Sequence, residues 1–585
     1  MKTEIEFDWA NPELFESARK EMSATHDAFV SKWKGNSEYL EDPVKLKEAL
    51  DEYENISRKY SFGGAEGYYY YMKQELDGTD LDARAKFNSL YEFILMEDNK
   101  LIFFALSLGK ISKEKQKEFL ESSELTDYRN FLKEIFVNSK YMLEEKEEMI
   151  MGLKSTPAHE MWERMVTSLL SKESAEIKGE KKTYPELLSL MKDSDSELRD
   201  LAKEAFEKIL EKYSDVAENE INAILENHKS NMIIRGYEEV DSSRLISDSV
   251  SKDFVLALLN ATTKRFDLSD RYYKLKAKVL GKDKIGYHER ATQVGNFSRK
   301  YSYEDGVETV RKVLGDIDPE FLGIFEKFVA DGRIDAYSRK GKRSGAACYH
   351  TSIGLPTNII LNHNGTLDDV TTIAHEVGHG INNEMMRKAQ HALYFDTPVA
   401  TAEVASTFFE DFVLEEVLKD CDDEEKFSIL MKKVDDDMSS IMRQVSAYNF
   451  ELELHNTYQK EGYLSKEKIG KIFAKHMGAY LGEGVDISTV DNWWIYWGHF
   501  RSCFYVYSYA SGLLISKSMQ KKFKEDSGFI EKIKEFLSSG TSLSPEEIFD
   551  KMGIKPNEEF FLNGISEIES SLVKAEELAQ KLGKI

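Results

Sequence analysis

The chain carries 105 acidic against 79 basic side chains in 585 residues, a net charge of -26, which argues against a nucleic acid or an anionic membrane surface as its main partner. Its length admits several cores or one large composite enzyme. Three scattered cysteines, Cys348, Cys421 and Cys503, with no C-x-x-C, exclude a disulfide framework and fit a reducing compartment.

The N-terminus, Met-Lys-Thr-Glu-Ile-Glu-Phe-Asp-Trp, has early acidic residues and no apolar run of the signal-peptide kind. No stretch reaches the apolar length of a membrane span. The expected location is the cytoplasm. Only nine prolines occur, none between Pro185 and Pro319, while Leu, Lys, Glu and Ala recur at helical spacing, so the chain reads as mainly α.

From about Pro12 to Lys172 the pattern predicts a series of amphipathic helices, broken at Ser61-Phe-Gly-Gly-Ala and at Asp77-Gly-Thr-Asp. The run Tyr68 to Tyr71 reads as core packing rather than as the lining of a cleft. Residues Ser171 to Lys182, charged and rich in small side chains, form a boundary or crossing loop ahead of Tyr184-Pro185.

Ile334 to Leu361 is the one stretch with strand character. Arg339-Lys-Gly-Lys-Arg-Ser-Gly precedes the apolar Asn358-Ile-Ile-Leu, and Asn362-His-Asn-Gly365 turns the chain into the next helix. An unpaired strand edge here could hold an extended peptide by main-chain hydrogen bonds; the alternative is an ordinary two-stranded sheet that packs the helix. His350 and His363 are expected as polar surface or loop residues.

The helix that follows carries the clearest chemistry. Thr366 and Asp369 form a capping-box pattern, and Val370, Ile373, Ala374, Val377 and Ile381 make one apolar stripe. His375 and His379 fall nearly opposite that stripe, in the H-E-x-x-H arrangement of a helical zinc site. Glu376 lies roughly 80° round from them, placed to reach a metal-activated water without ligating the metal. A catalytic zinc takes three protein ligands and keeps a position open. Glu403, the first carboxylate of the helical segment from Val399, supplies the third, and Glu410, two turns on, is placed to orient a histidine from behind.

From Asp420 to Leu464 the chain reads as charged structural helices. The last informative stretch runs from Trp493 to Leu514, where Tyr505 and Tyr509 stand at i, i+4 and Gly512 follows on the same face. Such a helix could present two phenols beside a small residue that a substrate backbone can approach.

The motifs His375-Glu-Val-Gly-His379 and Ala402-Glu-Val-Ala-Ser406, with their spacing, resemble the thimet oligopeptidase and oligoendopeptidase F group of zinc metallopeptidases, and are most similar to the oligoendopeptidase F branch. The similarity runs from about Tyr184 nearly to the C-terminus. It divides the chain into an N-terminal helical region, 1–183, and a catalytic region, 184–585, with Tyr287-His288 standing where relatives have Tyr-Asp. The resemblance implies a zincin-type core with a small sheet beside the zinc helix, in a helical shell with a deep substrate channel. It further implies one zinc ion per chain, Gly345, Ala346 and Ala347 as the peptide-holding edge, and His499, Tyr505, Tyr507 and Tyr509 as groups near the scissile carbonyl, with Tyr509 favoured for the oxyanion and Tyr505 next.

The expected function is hydrolysis of internal bonds in short unstructured oligopeptides, with Glu376 as general base. Two other readings use the same motifs: a zinc carboxypeptidase or dipeptidyl carboxypeptidase, and a peptide-binding protein with a vestigial site. The intact Glu376 speaks against the latter. No Gly-x-Met-Glu-Asn of a common zinc aminopeptidase family is present.

Overall fold

The computed structural model describes residues 2–295 and 299–585. It is mainly helical, 72% helix against 4% strand, so the few strands stand out as local devices. The chain packs as two units, each assembled from three separated stretches: Met1–Met142, Ser298–Lys419 and Lys522–Lys555 in the first, Leu143–Phe297, Asp420–Lys521 and Pro556–Ile585 in the second. In chain order the strands among the described residues are β1 (Ser174–Ile177), β2 (Glu180–Thr183), β3 (Ile285–Gly286), β4 (Ile334–Tyr337), β5 (Ala347–Tyr349), β6 (Asn358–His363) and β7 (Val485–Asp486).

In the first unit, the helices Phe15–Trp33, Pro43–Tyr60, Leu81–Gly109 and Arg129–Ser139 bury an apolar cluster that includes Trp33, Leu46, Phe104 and Leu132. The predicted break at Ser61 is a single 3-10 turn, Ser61–Gly63. Tyr68 is fully buried, accepting from Asn358 Nδ2 (2.8 Å) and donating to the Tyr349 carbonyl (3.0 Å), so this phenol ties the N-terminal helices to the sheet. Tyr69, Tyr70 and Tyr71 are half-buried.

The strand region is shorter and more broken than a continuous reading of Ile334 to Leu361 expects. It forms a three-stranded sheet in the order β4-β6-β5, with β4 parallel and β5 antiparallel to β6. The intervening residues leave the sheet because Lys342 is drawn inward. Its ammonium is completely buried against the Asp335 carboxylate (2.6 Å) and the carbonyls of Tyr337 (2.8 Å) and Leu361. Asn362 Nδ2 donates to the carbonyls of Arg343 (3.0 Å) and Gly345 (2.5 Å), pinning the far end of the same loop. The N-terminal segment covers the outer side of β4, with the Ala336 N–H donating to the Thr3 carbonyl (3.0 Å), and β5 is the other edge.

The second unit is built on the 40-residue helix Ser196–Arg235, with Arg443–Glu461, Lys466–Leu481 and Glu558–Lys581. The expected loop over Ser171 to Lys182 is instead the β1–β2 hairpin. Lys178 and Gly179 both have positive φ (50° and 83°), as the tight turn between twisted strands requires. The helix opening at Tyr184-Pro185 has a reciprocal Thr183–Glu186 capping box. Buried cations here are matched to carboxylates: Arg199 with Glu289 (2.8 Å), Arg501 with Glu220 (2.6 Å), Lys276 with Asp435 (2.9 Å) and Lys517 with Asp437 (3.0 Å).

Candidate functional site

The helix Leu367–Ala389 begins at the capping box, with the Asp369 N–H donating to Thr366 Oγ1 (3.3 Å) and the Thr366 N–H to Asp369 Oδ2 (2.7 Å). The stripe Val370, Ile373, Ala374, Val377 and Ile381 is completely buried, at 1% exposure or less, which fixes the rotation of the helix. His375 and His379 therefore stand on the other side, about a quarter exposed.

Glu403 meets them from a neighbouring chain segment. It does not lie within a helix but immediately before Val404–Lys419, where Ser406 Oγ donates to its Oε2 (3.1 Å). The two helices approach so closely at Gly378 that a Cβ there would lie 2.7 Å from Ser406 Cα and 2.8 Å from the Ala405 carbonyl oxygen. Only glycine fits, and this contact brings Glu403 to the histidines. A glycine inside an amphipathic helix is the visible sequence signal for it.

His375 Nε2 is 3.4 Å and His379 Nε2 is 3.6 Å from Glu403 Oε2, and the three ligand atoms lie within 4.8 Å of one another. Ligands about 2.0–2.1 Å from a tetrahedral zinc lie about 3.3–3.4 Å apart, so the donor set matches that coordination in size as well as in chemistry. On its other nitrogen, His375 Nδ1 is 3.0 Å from Glu410 Oε2, which assigns the proton to Nδ1 and leaves Nε2 as the ligand.

Electrostatics point the same way. Burial pushes His375 down, but Glu403 and Glu410 outweigh it and hold the imidazole up at about 10. Burial and the neighbouring His375 push His379 down to about 4. Glu403, against burial, is held at about 2 by the histidines and Ser406. Glu403 faces the ligand position and Glu410 backs His375 on its other nitrogen, so negative charge on both sides of that ring favours positive charge there, as a cation site requires.

Glu376 is buried and is not one of the three grouped ligands. Burial raises its carboxyl to about 7 in spite of a hydrogen bond from the Cys348 N–H of β5. The general-base candidate therefore touches the edge strand itself. Ala347 lies in β5, whereas Gly345, with φ +78°, and Ala346 lead into it. His363, expected at the surface, is buried at the end of β6 with Nε2 on the Tyr301 carbonyl (3.0 Å). His350 packs on Phe395.

The remaining candidates belong to the second unit. Tyr505 OH lies 2.7 Å from His499 Nδ1 and 3.3 Å from Tyr509 OH, and the His499 and Tyr509 rings stack at 5.8 Å. Tyr505 is not on the helix: Tyr507–Glu525 starts after it, and the preceding Cys503 and Phe504 both adopt positive φ (43° and 61°). Two successive non-glycine residues in this region are strained, and surrounding contacts hold them. The Phe504 N–H donates to buried Glu451 Oε1 (2.9 Å), and Arg244 Nη2 to the Ser502 carbonyl (3.2 Å). Tyr507 is fully buried, its hydroxyl donating to Asp248 Oδ2 (2.7 Å), and Gly512 is buried as well. Both therefore lie inside the unit rather than on an exposed helix face.

Residues 189–566 match the profile described as Peptidase family M3, and residues 108–172 that described as Oligopeptidase F. The oligoendopeptidase F homolog of Lactococcus lactis subsp. lactis is 27% identical over 82% of this chain and 81% of its own. The group B oligopeptidase PepB of Streptococcus agalactiae is 26% identical over 98% and 96%. Oligoendopeptidase-F from Enterococcus faecium superposes with a TM-score of 0.71 at 18% identity, over 97% of this chain and 99% of the other, which shows a common fold.

Proposed function

Because the chain belongs to peptidase family M3, we propose that it is a zinc-dependent oligoendopeptidase that cuts internal bonds of short, unstructured peptides. The observation that carries this reading is the spacing of His375 Nε2, His379 Nε2 and Glu403 Oε2, with Glu376 next in sequence, buried and outside that ligand set. A zinc ion held there supplies Lewis acidity, polarising the peptide carbonyl and lowering the pKa of water towards about 7.

The chain's own residues supply the rest. Glu376 takes the proton of the attacking water and passes it to the leaving amine. Glu410 keeps the His375 proton on Nδ1. The Gly345-Ala346-Ala347 edge holds the substrate backbone extended by main-chain hydrogen bonds, gripping peptides without reading their side chains. His499 and Tyr509, with Tyr505 behind them, donate to the oxyanion, each donor contributing roughly 3 kcal/mol. Burial, aided by the nearby Arg443 charge, lowers the His499 pKa and keeps its ring neutral. A proton from Tyr505 on Nδ1 leaves Nε2–H free to donate.

We place this activity in the cytoplasm. The three cysteines are free thiols, and among the described residues no helix is long and apolar enough to cross a membrane. The test is Glu376→Gln. Zinc content by elemental analysis should match the parent while turnover falls by several orders of magnitude; turnover within a few-fold of the parent contradicts the general-base role.

A further inference from the structure

The buried cations of the second unit named above each face a carboxylate. Arg290 and Arg443 do not. Among the described residues no carboxylate pairs with either guanidinium, in a chain with 26 more acidic than basic side chains. What surrounds them is aromatic. Arg443 stacks on Trp497, with Cζ 3.8 Å from a ring centroid, and Nη2 donates to Tyr496 OH (3.0 Å). Arg290 stacks on Tyr287 at 3.7 Å, donates from Nε to the Tyr287 carbonyl (2.7 Å) and from Nη1 to Tyr480 OH (3.3 Å). Arg443 Nε is buried and has no hydrogen-bond partner among the described residues.

This arrangement is costly unless something anionic completes it. Two guanidiniums near one another repel, and a charge with no counter-ion is poorly compensated where water is partly excluded. Yet Arg290, Arg443 and Tyr496 each keep part of their surface open to solvent, so a ligand can reach them. Their charge is felt at Tyr496, whose hydroxyl, against the push of burial, is held below the usual phenol range by Arg443 and Arg290. The aromatic ledge also carries His499, whose ring is 6.1 Å from that of Trp497. The chain reaches Arg443 through a π-helical turn, Met438–Met442, an irregularity frequent at functional sites. Nothing in the local sequence pattern distinguishes this segment from the structural helices around it.

Resting on the peptidase reading above, we propose that Arg290 and Arg443, with the Tyr496 hydroxyl, form a carboxylate-binding site that takes the C-terminal carboxylate of a peptide substrate. Planar guanidiniums suit this ligand because their parallel N–H groups match the two oxygens of a carboxylate. Every short peptide carries that group, whatever its sequence. A local pair of positive charges also offsets the repulsion that a strongly acidic chain exerts on an anionic peptide.

The test compares three peptides of one neutral sequence, cut at one internal bond by the zinc-loaded enzyme: the free acid, the C-terminal amide, and the amide bearing one internal glutamate. The free acid should exceed the amide in kcat/KM by tenfold or more. That ratio should collapse to within about twofold in Arg443→Gln and Arg290→Gln, and Arg443→Lys should keep part of it. Equal values for acid and amide in the parent enzyme overturn the proposal, and so does recovery of the full preference by the glutamate-bearing amide, which would assign the site to side chains. Binding of the uncleaved acid and amide to Glu376→Gln protein, followed by tryptophan fluorescence, separates this from the peptidase reading. A tenfold affinity difference there supports the site even if no peptide is cut, and equal affinity rejects it.

Discussion

His375 Nδ1 and Glu410 Oε2 are 3.0 Å apart, on two helices that meet at Gly378. The carboxylate fixes which imidazole nitrogen is free to ligate. Removing it leaves every metal ligand in place but releases the tautomer and ring orientation, so Glu410→Ala should weaken zinc binding about 10–100-fold. Competition with a calibrated chelator measures this. An affinity unchanged within twofold would show that Glu410 does not orient His375.

Gly378→Ala tests the contact behind that geometry. The atoms a new methyl group would meet are backbone, at 2.7 Å and 2.8 Å, and cannot swing aside. Overpacking of this kind costs about 1–3 kcal/mol. Here it should also separate Glu403 from the histidines, lowering both the melting temperature and the bound zinc. A variant that melts with the parent and keeps its metal would contradict the close approach.

Much of the site was legible in the sequence because its signals are local. A capping box, a 3.6-residue apolar stripe and H-E-x-x-H are all read within one helix, and the buried stripe faces away from His375 and His379. What was not legible depends on residues far apart in the chain. Lys342 looks like one more charge in a basic loop, and only its burial on Asp335 breaks the strand region into separate strands. The resemblance places Tyr507 among the groups near the scissile carbonyl, but Asp248, far earlier in the chain, draws its hydroxyl into the core. Arg290 and Arg443 share Tyr496 across a long separation that no local pattern encodes. Gly378 was visible as a helix glycine, but its partner backbone at Ala405 and Ser406 was not.

Lys342→Met should expose the cost of that buried pair. Breaking a buried ion pair by removing one partner costs about 3–5 kcal/mol, since the carboxylate of Asp335 loses its fully buried counter-charge. Arg339 also contacts Asp335 (2.6 Å), so a loss at the lower end is expected. Hydrogen exchange should rise first in residues 338–348, ahead of the rest of the first unit. Uniform exchange throughout that unit would mean that Lys342 does not hold this loop in particular.

Glu451 gives the pH dependence of the strained turn at Cys503 and Phe504. Burial raises its carboxyl to about 8 from an ordinary 4.5, although the Phe504 N–H and Arg244 pull the other way. The folded chain therefore keeps a proton that the unfolded chain releases, and stability falls as pH rises from about 4.5 to about 8. Between pH 5 and 8 this group should account for roughly 3 kcal/mol of lost stability. Glu451→Gln, neutral throughout, should lack that component in urea melts at the two pH values. Parallel losses in parent and variant would place the Glu451 pKa near normal.

The most direct test of the central claim is mass spectrometry of the products from a mixed set of unstructured peptides, short to long, incubated with zinc-loaded enzyme and with a chelator-treated control. The account predicts internal cuts that vanish with the chelator and stop above a limiting peptide length. Stepwise loss from the carboxyl end would make the protein a carboxypeptidase or dipeptidyl carboxypeptidase, and intact peptides in both samples would contradict a zinc-dependent peptidase altogether.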